Sequence, residues 1–465
     1  MKQRKKVENI LRDTFEIHAY QEIKTPLFEE LSLFTTKSGE EIVDQLYNFK
    51  DKSNREIALR PEITAPVARL YLNEMQKTAK PIKLYYFGSC FRYERPQKGR
   101  FRQFWQFGCE LIGAKSPEGE AEVIAMAEDS LKKLGIATAQ IHINHLGIIR
   151  GLFKHFNIDT EIQEKIMTLI DKGDKKLLKS QLLPDCGQSP DEQLLPDNSQ
   201  SPDEQLLPDS GQSPDEQLLV DNGQSADEQL SEDNNDKSSY KPLIEDEKLA
   251  NILINLVDFV GKDEILKDVE DLIGEYEETK DSLNEFKDLI SLLKSFKVSN
   301  YTINLGVARG LDYYTGIVFE IYVPELGAQK QVAGGGSYNL VEVFGGEKIE
   351  STGFAFGFDR LMNAIKDKNE GESIVDVFVS PMSSEERKKS FEICQTLRTS
   401  NIKTEVDLSR RKFKKLLKTA NKLNAKYVIL VGKKDLDENN VIIKDMNTGN
   451  QETVAIDNIF NYLSF

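Results

Sequence analysis

The spacing of apolar residues along the chain predicts a mixture of helices and strands. Near the N-terminus one face of a helix is predicted from five residues, Val7, Ile10, Leu11, Thr14 and Phe15. Alternating apolar and polar positions predict two strands, over residues 84–95 and 102–112, joined by a short loop. Residues 244–297 follow a helical pattern in which charged side chains are interleaved with Ile, Leu and Val.

The pattern changes twice in the last third of the chain. Strand character returns from residue 301 to about residue 365. After a charged linker over 366–372, two short apolar strands, at 375–379 and 427–431, alternate with helix-like segments. We therefore predict an α+β fold with a separate α/β domain over 373–465.

A tandem repeat of twelve residues interrupts the helical region. The array begins at Gln181, and its four full copies read QLLPDCGQSPDE, QLLPDNSQSPDE, QLLPDSGQSPDE and QLLVDNGQSADE. Each copy holds only two or three adjacent apolar residues, which is too little apolar surface to offset the entropy lost on ordering. We predict a disordered insert over 181–236. The alternative is a docking segment that uses the Leu-Leu pairs.

The insert also carries almost all of the net charge. The chain has 61 Lys and Arg residues against 77 Asp and Glu residues, which gives a formal net charge of −16. Residues 181–236 hold 15 acidic residues and no Lys or Arg, so the rest of the chain is nearly neutral. Nine basic residues lie between Lys403 and Lys426, opposed only by Glu405 and Asp407. The acidic balance therefore does not exclude an RNA partner.

Several classes of protein are disfavoured by what the sequence lacks. The four cysteines are far apart and form no Cys-x-x-Cys pair, which indicates reduced thiols in a cytosolic protein rather than a disulfide frame or a zinc site. No run of about 18 apolar residues predicts a membrane span. No P-loop or Rossmann glycine pattern occurs, so a nucleotide would need another kind of site. No protein motif predicts a metal site.

Polar side chains fall on one face of the two predicted strands. Even-numbered positions place Arg92 and Glu94 on that face of the first strand, and Gln106, Gly108 and Glu110 on that face of the second. A guanidinium suits an anionic phosphate through paired hydrogen bonds. The plainer interpretation is a solvated sheet face with surface salt bridges.

Three further segments hold candidate chemistry. The loop between the two strands is basic, which suits an RNA end or is simply a charged hairpin tip. Residues 308–316 combine Arg309 with Tyr313 and Tyr314, although buried tyrosines are commonly core residues. Arg360 falls in the first turn of a predicted helix, where a cation is unfavourable unless an anion binds there.

Together these segments resemble the class II aminoacyl-tRNA synthetases, and specifically the histidyl-tRNA synthetase family. Residues 91–110 resemble motif 2 of the class, and residues 353–362 resemble motif 3. Residues 309–314 read Arg-Gly-Leu-Asp-Tyr-Tyr, which is similar to the signature of the histidine family, and residues 59–64 resemble its amino-acid-binding turn. The resemblance covers nearly all of the chain outside 181–236.

The resemblance implies a domain plan and an activity. It implies a class II antiparallel-sheet catalytic domain over 1–147 and 298–370, an inserted helical domain over 148–297, and an anticodon-binding domain over 373–465. The implied reaction joins L-histidine to tRNA-His through a histidyl-adenylate, with ATP and Mg²⁺ as a substrate complex and no permanent cofactor. A cytoplasmic homodimer without a membrane or DNA partner is also expected.

The resemblance also implies roles for individual residues. The expected catalytic residues are Arg92, Arg309 and Arg360. The expected ATP contacts are Arg92, Glu94, Arg309 and Arg360. The expected histidine contacts are Glu62, Ile63, Thr64, Gln106, Glu110, Tyr313 and Tyr314. The expected tRNA contacts are Arg95, Gln97, Lys98, Arg100, Arg410, Arg411 and Lys412.

Three features depart from the family pattern. The chain opens almost directly on the first helix, without the usual Gly-x-Arg-Asp segment. Ser337 stands in a turn that normally reads Gly-Gly-Arg-Tyr-Asp, and the Asp is missing, which would loosen the floor of the histidine pocket. The acidic repeat is the third departure.

Two alternatives remain, both without synthetase activity. They are the inactive paralogue that serves as the regulatory subunit of ATP phosphoribosyltransferase, and a tRNA-binding or stress-sensing module. The joint presence of Glu62, Arg92, Arg309 and Arg360 favours the enzyme.

Overall fold

Two units make up the chain, residues 1–365 and residues 366–465. The structure is a computed structural model that describes residues 2–38, 40–93, 101–183, 242–308, 313–365, 375–409 and 413–463. Within those ranges, no helix is both long enough and apolar enough to cross a bilayer.

The first unit contains helices and strands in alternation. Its helices are α1 (Lys2–Ile17), α2 (Ser32–Ser38), α3 (Thr64–Leu70), α4 (Glu118–Lys133), α5 (Leu146–His155), α6 (Thr160–Lys172), α7 (Lys175–Leu182), α8 (Glu247–Asp258), α9 (Ile265–Ile273), α10 (Glu277–Ser295), α11 (Leu340–Val343) and α12 (Phe358–Ala364). Its strands are β1 (Gln21–Glu22), β2 (Phe28–Glu30), β3 (Asn48–Lys50), β4 (Glu56–Leu59), β5 (Ile82–Phe91), β6 (Gln103–Ile112), β7 (Gln140–His145), β8 (Val260–Gly261), β9 (Tyr301–Asn304), β10 (Tyr314–Tyr322), β11 (Gln331–Tyr338) and β12 (Ser351–Gly357).

A nine-stranded sheet forms the centre of this unit, in the order β1-β5-β6-β12-β11-β10-β7-β9-β8. Its neighbours run antiparallel except for β1 with β5 and β7 with β9, which are parallel. The antiparallel-rich sheet confirms the predicted fold class. The two predicted strands are β5 and β6, which pair with Gly88 opposite Gln106. The even-numbered faces of the two strands therefore coincide, as the alternation predicted. β5 ends at Phe91, so Arg92 follows the strand and does not lie on it as predicted.

The apolar face of the sheet is covered by helices. Phe15 of α1 lies with its ring centroid 5.0 Å from Phe107 and 5.8 Å from Tyr85. The predicted helical face is buried at Val7, Leu11, Thr14 and Phe15, whereas Ile10 is only half-buried. Because α1 and α4 cover this face, the opposite face is left to bind ligands.

The described chain stops at Leu183 and resumes at Pro242, between α7 and α8. Leu182 is 1% exposed and α7 includes both Gln181 and Leu182, so the first two residues of the range predicted to be disordered are helical. Leu183 is described as non-helical, and the remainder of that range lies outside the described residues. The N–H of Leu243 donates to the carbonyl of Gln181 at 3.0 Å, so the two ends of the interruption are adjacent.

Deleting residues 184–241 is expected to leave the fold and the catalytic activity close to those of the full chain. After the deletion, Leu243 is the fourth residue after Gln181. The hydrogen bond between them then has the i+4 to i spacing of an α-helix. Leu183, with φ −131° and ψ 83°, already lies outside the helical region, as a residue before proline prefers. We expect the free energy of unfolding, measured by urea titration, to change by less than about 1 kcal/mol.

The matched control removes 181–241 and so also removes Leu182. Loss of a fully buried leucine should destabilise that variant by about 2–3 kcal/mol. Equal stability of the two deletions would contradict the assignment of Leu182 to the core.

The second unit is the predicted α/β domain. Its strands are β13 (Val377–Pro381), β14 (Thr404–Val406), β15 (Tyr427–Val431), β16 (Asn440–Asp445) and β17 (Gln451–Ala455), and its helices are α13 (Arg387–Thr399), α14 (Phe413–Lys422), α15 (Lys433–Asp437) and α16 (Ile459–Tyr462). The strand order is β14-β13-β15-β16-β17, with the first three strands parallel. On α14, Leu416 and Ala420 are buried. Its exposed basic residues are Lys414, Lys415, Lys418 and Lys422.

Candidate active site

Two adjoining cavities lie on the open face of the central sheet. Their volumes are about 450 Å³ and about 780 Å³, including space open to solvent. Four residues line both cavities, Arg92, Gln106, Gly334 and Ala355. Gly334 pairs with Ala355 across β11 and β12, and Ala355 pairs with Gly108 across β12 and β6. This row of small residues makes a flat floor, and Arg92 stands where the two cavities meet.

Glu62 lines the smaller cavity at the start of α3. Its carboxylate accepts hydrogen bonds from the N–H groups of Thr64 and Ala65, the latter at 3.0 Å, and so caps the first turn of the helix. Burial raises the pKa of the Glu62 carboxyl, while these hydrogen bonds and the charge of Arg92 oppose that rise. The turn therefore holds a carboxylate at a fixed place next to Arg92.

Glu110, on β6, is the second carboxyl group of this cavity. The Tyr86 hydroxyl donates to its Oε1 at 3.0 Å, while in the described part of the chain Oε2 has no hydrogen-bond partner. Burial raises the pKa of Glu110 to about 8, although hydrogen bonds from neighbouring hydroxyls, Thr64 among them, oppose the rise. The fold therefore favours the neutral form of a carboxyl group that lines the pocket.

Glycines in the sheet make room for the protein's own polar side chains. Gly353 faces Glu110 across the strand pair, and a Cβ at Gly353 would lie 2.1 Å from Oε2 of Glu110. A Cβ at Gly88 would lie 2.3 Å from the guanidinium of Arg60, which is buried and donates to the carbonyl of Ser89 at 2.9 Å. Glu110 therefore occupies the space beside Gly353, and Arg60 occupies the space beside Gly88.

Three tyrosines close the smaller cavity. Tyr313 and Tyr314 line it with ring centroids 4.9 Å apart, as the family signature implied. Tyr338 was not singled out as a site residue, yet it lines the same cavity, and its buried hydroxyl has no hydrogen-bond partner within the described ranges. Burial and the nearby Glu110 raise the pKa of this hydroxyl. The sequence could have indicated Tyr338 through strand alternation, because it lies two residues after Gly336 and so on the same face of the strand.

Ser337, the departure from the family turn, lies on the other face of the sheet. Its Oγ is 2.9 Å from Oε1 of Glu120, a buried residue of α4, and 3.3 Å from the carbonyl of Ile317. Burial raises the pKa of the Glu120 carboxyl. Ser337 therefore contacts the covering helix, and the neighbouring Tyr338 still lines the pocket.

The larger cavity has a cationic lining. Arg360, in the first turn of α12, lines it and donates to the carbonyl of Gln331 at 3.1 Å. Arg92 donates from Nε to the carbonyl of Pro61 at 3.1 Å, and its guanidinium lies 5.3 Å from the Phe104 ring centroid. Two guanidinium groups in the lining of one cavity suit an elongated, negatively charged ligand.

The family described as histidyl-tRNA synthetase matches residues 1–208 and 224–361, and the anticodon binding domain family matches residues 376–464. The chain belongs to the histidyl-tRNA synthetase family. Curated relatives that carry the name histidine–tRNA ligase agree. The protein of Methanocaldococcus jannaschii is 40% identical, covering 99% of this chain and 96% of its own length. The protein of Archaeoglobus fulgidus is 38% identical, covering 100% and 96%.

Solved structures of the family share the fold. The apo histidyl-tRNA synthetase of S. aureus has a TM-score of 0.66 and 27% identity, over 99% of this chain and 95% of its own. The histidyl-tRNA synthetase of Nostoc sp. has a TM-score of 0.72 over 98% and 94%, and at 20% identity it supports the fold alone. Both agree with the antiparallel-rich sheet followed by an anticodon-binding domain.

Not all of the residues given roles by the family resemblance can be located. Those outside the described residues are Glu94, Arg95, Gln97, Lys98, Arg100, Arg309, Arg410, Arg411 and Lys412. Among those described, Glu62, Thr64, Gln106, Glu110, Tyr313 and Tyr314 line the smaller cavity together with Arg92. Ile63 is different, because its side chain is 1% exposed and does not line that cavity.

Proposed function

We propose that this chain is a histidine–tRNA ligase that works through a histidyl-adenylate. Histidine and ATP first give the adenylate and diphosphate, and the histidyl group then passes to the 3′ end of tRNA-His with release of AMP. The observation that carries the proposal is the pair of adjoining cavities that meet at Arg92. One cavity has the polar groups that an imidazole needs, and the other has the cations that a triphosphate needs.

The first step joins a carboxylate oxygen of histidine to the α-phosphorus while the bond to the β-phosphate breaks. Such a displacement depends on position and on charge stabilisation more than on covalent help from the protein. Arg92 reaches both cavities and would hold the α-phosphate beside the attacking carboxylate. Arg360 would bind the distal phosphates, and Arg309 would share the α-phosphate, as the family resemblance implies. Mg²⁺ would arrive with ATP as part of the substrate.

Histidine would bind with its side chain towards Glu110. Glu110, Tyr314 and Tyr338 line the pocket and would hydrogen-bond the two ring nitrogens. Glu62 would hold the α-amino group with Thr64 and Gln106. A ring without nitrogens would leave the buried groups unpaired, which is the basis for selectivity.

The second unit would bind the anticodon end of tRNA-His. The lysines exposed on α14 form one basic face, which would contact the phosphate backbone. Arg410, Arg411 and Lys412 would extend that face, and Arg95, Gln97, Lys98 and Arg100 would contact the acceptor end. We expect this work to take place in the cytoplasm.

We also propose that the chain forms a homodimer through the small sheet β2-β4-β3. One face of this sheet packs on the core through Glu29 and Ala58. The other face is open and carries Phe28, 57% exposed, and Phe49, 48% exposed, on either side of β4, together with the half-buried Ile57 and the exposed Glu30. Exposed aromatic residues on one sheet face mark an interaction surface.

Replacing both Phe28 and Phe49 with glutamate is expected to shift the protein from dimer to monomer in light scattering. Phe296, an equally exposed residue at the end of α10, provides the control, because Phe296→Glu leaves the small sheet intact. A dimer that survives the double substitution would place the interface elsewhere.

The direct test of the activity is ATP–diphosphate exchange measured with each of the twenty amino acids, followed by charging of tRNA-His. We expect exchange with histidine and none of comparable rate with the others. A protein that binds tRNA but catalyses no exchange would contradict the proposal and favour the non-catalytic alternatives.

A further inference from the structure

The N-terminal helix meets the edge of the larger cavity through an ion pair. Nη1 of Arg4 lies 2.8 Å from Oδ1 of Asp359, and both side chains are about four-fifths buried. Asp359 lines the cavity and directly precedes Arg360 at the start of α12. Arg4 itself does not line either cavity.

Asp359 is fixed on both of its oxygens. While Oδ1 binds Arg4, Oδ2 accepts the backbone N–H of Trp105 at 2.9 Å. The guanidinium of Arg4 also lies over three rings, 4.6 Å from the Phe358 centroid, 5.0 Å from the Trp105 centroid and 5.9 Å from the Phe87 centroid. Arg4 therefore joins α1, the first turn of α12 and strand β6 at one point, from behind the cavity.

The negative charge of Asp359 would weaken the binding of a polyphosphate in this cavity. A carboxylate in the lining repels a polyphosphate, and this repulsion is strong where water is partly excluded. Pairing with Arg4 neutralises Asp359 without placing another cation in the cavity. The same contact holds the turn that carries Arg360, so orientation and charge are controlled together.

We propose that Arg4 is a positioning residue for the nucleotide: it neutralises Asp359 and holds the first turn of α12 against β6, so that Arg360 faces the phosphates. This inference rests on the proposed function, since it assigns the larger cavity to ATP. It gives a binding role to a residue of the N-terminal helix, outside the motifs that carry the family resemblance.

The inference is tested with the Arg4→Ala variant, and a tryptophan of the chain itself serves as the fluorescent probe. Trp105 is the only tryptophan, so a fluorescence titration with ATP reports on this cavity. We expect the Kd for ATP and the KM for ATP in the exchange reaction to rise about tenfold, corresponding to about 1.4 kcal/mol. The KM for histidine should stay close to that of the unaltered protein, because the ion pair is remote from the smaller cavity.

Two further variants separate this role from a loss of stability. Arg12→Ala removes another ion-paired arginine of α1, which binds Glu8 and Glu22, and should leave the KM for ATP unchanged. Asp359→Asn combined with Arg4→Ala removes the uncompensated carboxylate and should recover most of the ATP affinity lost in Arg4→Ala. A purely structural role for Arg4 predicts no such recovery.

An unchanged Kd for ATP in Arg4→Ala would overturn the inference. Equal rises of the KM values for ATP and for histidine would also overturn it, as would failure of Asp359→Asn to recover affinity. Failure of the proposed function is distinguishable, because it would remove exchange from the unaltered protein. The Trp105 titration would still measure the effect of Arg4 on ATP binding.

Discussion

Arg92→Ala is expected to lower histidine-dependent ATP–diphosphate exchange by about 10²-fold or more, by comparison with the loss of other preorganised charge contacts. Arg92 lines both cavities, and its Nε is anchored on the carbonyl of Pro61. The rest of the guanidinium is thereby aimed at the point where the carboxylate and the α-phosphate must meet. The loss should fall on kcat as well as on KM, because the charge being stabilised develops during the reaction.

Two variants make this prediction specific. Arg92→Lys keeps the charge but loses the planar fork, so its activity should lie between those of the unaltered protein and Arg92→Ala. Arg55→Ala removes an exposed arginine paired with Asp51 and should leave exchange unchanged. Near-normal kcat in Arg92→Ala would mean that Arg92 does not act on the reacting groups.

Glu110→Gln is expected to lower kcat/KM for histidine by about 10²-fold, with a smaller effect on the KM for ATP. Glutamine keeps the shape of the side chain but cannot ionise. It can therefore neither share a proton with an imidazole ring nor accept one from it. The effect should be large because Glu110 is buried and lines the smaller cavity. Exchange measured at several histidine concentrations separates the two KM values.

The same substitution should change how stability depends on pH. Below pH 4.5 the Glu110 carboxyl is protonated in both the folded and the unfolded chain. Because its folded pKa is raised to about 8, its contribution to stability is lost as the pH rises from 4.5 through 8. Over that window the unaltered protein should lose stability relative to Glu110→Gln, by on the order of a few kcal/mol in urea titrations.

Glu120→Gln is the matched control for Glu110→Gln. Glu120 is also buried and also has a raised pKa, but it contacts Ser337 on the helix-covered face. Its replacement should leave the KM for histidine unchanged. A rise in that KM equal to the rise in Glu110→Gln would show that the pocket responds to any buried carboxyl nearby, and not to Glu110 as a ligand group.

The elements that periodicity predicts best are those with one buried face. The helix α1 and the strand pair β5–β6 were predicted with the correct faces, because burial of one face imposes a regular spacing on the sequence. The position of a long polar side chain is not periodic in this way. The sequence showed Gly88 and Gly353 as small residues, but only the fold shows that Arg60 and Glu110 occupy the space beside them.

The candidate site was predicted from motifs, and the differences between that prediction and the structure have a common cause. Tyr338 enters the site through strand pairing, and Asp359 enters it through contacts with residues more than 200 positions away. Ile63 was among the expected histidine contacts, yet its side chain is buried and does not line the smaller cavity. Local sequence gives the members of a motif, whereas the packing of distant elements decides which of them reach the cavity.

The hydrogen bond between Leu243 and Gln181 has a consequence for the history of the repeat. The ends of the interruption are held together by α7 and α8, so the number of residues between them does not enter the geometry of the core. For a connection without structure of its own, as the repeat sequence predicts, losing one twelve-residue copy changes the closure free energy by only about 0.2 kcal/mol. Copies can therefore be gained or lost by slippage during replication at almost no cost to folding, and the array length is free to drift between related strains.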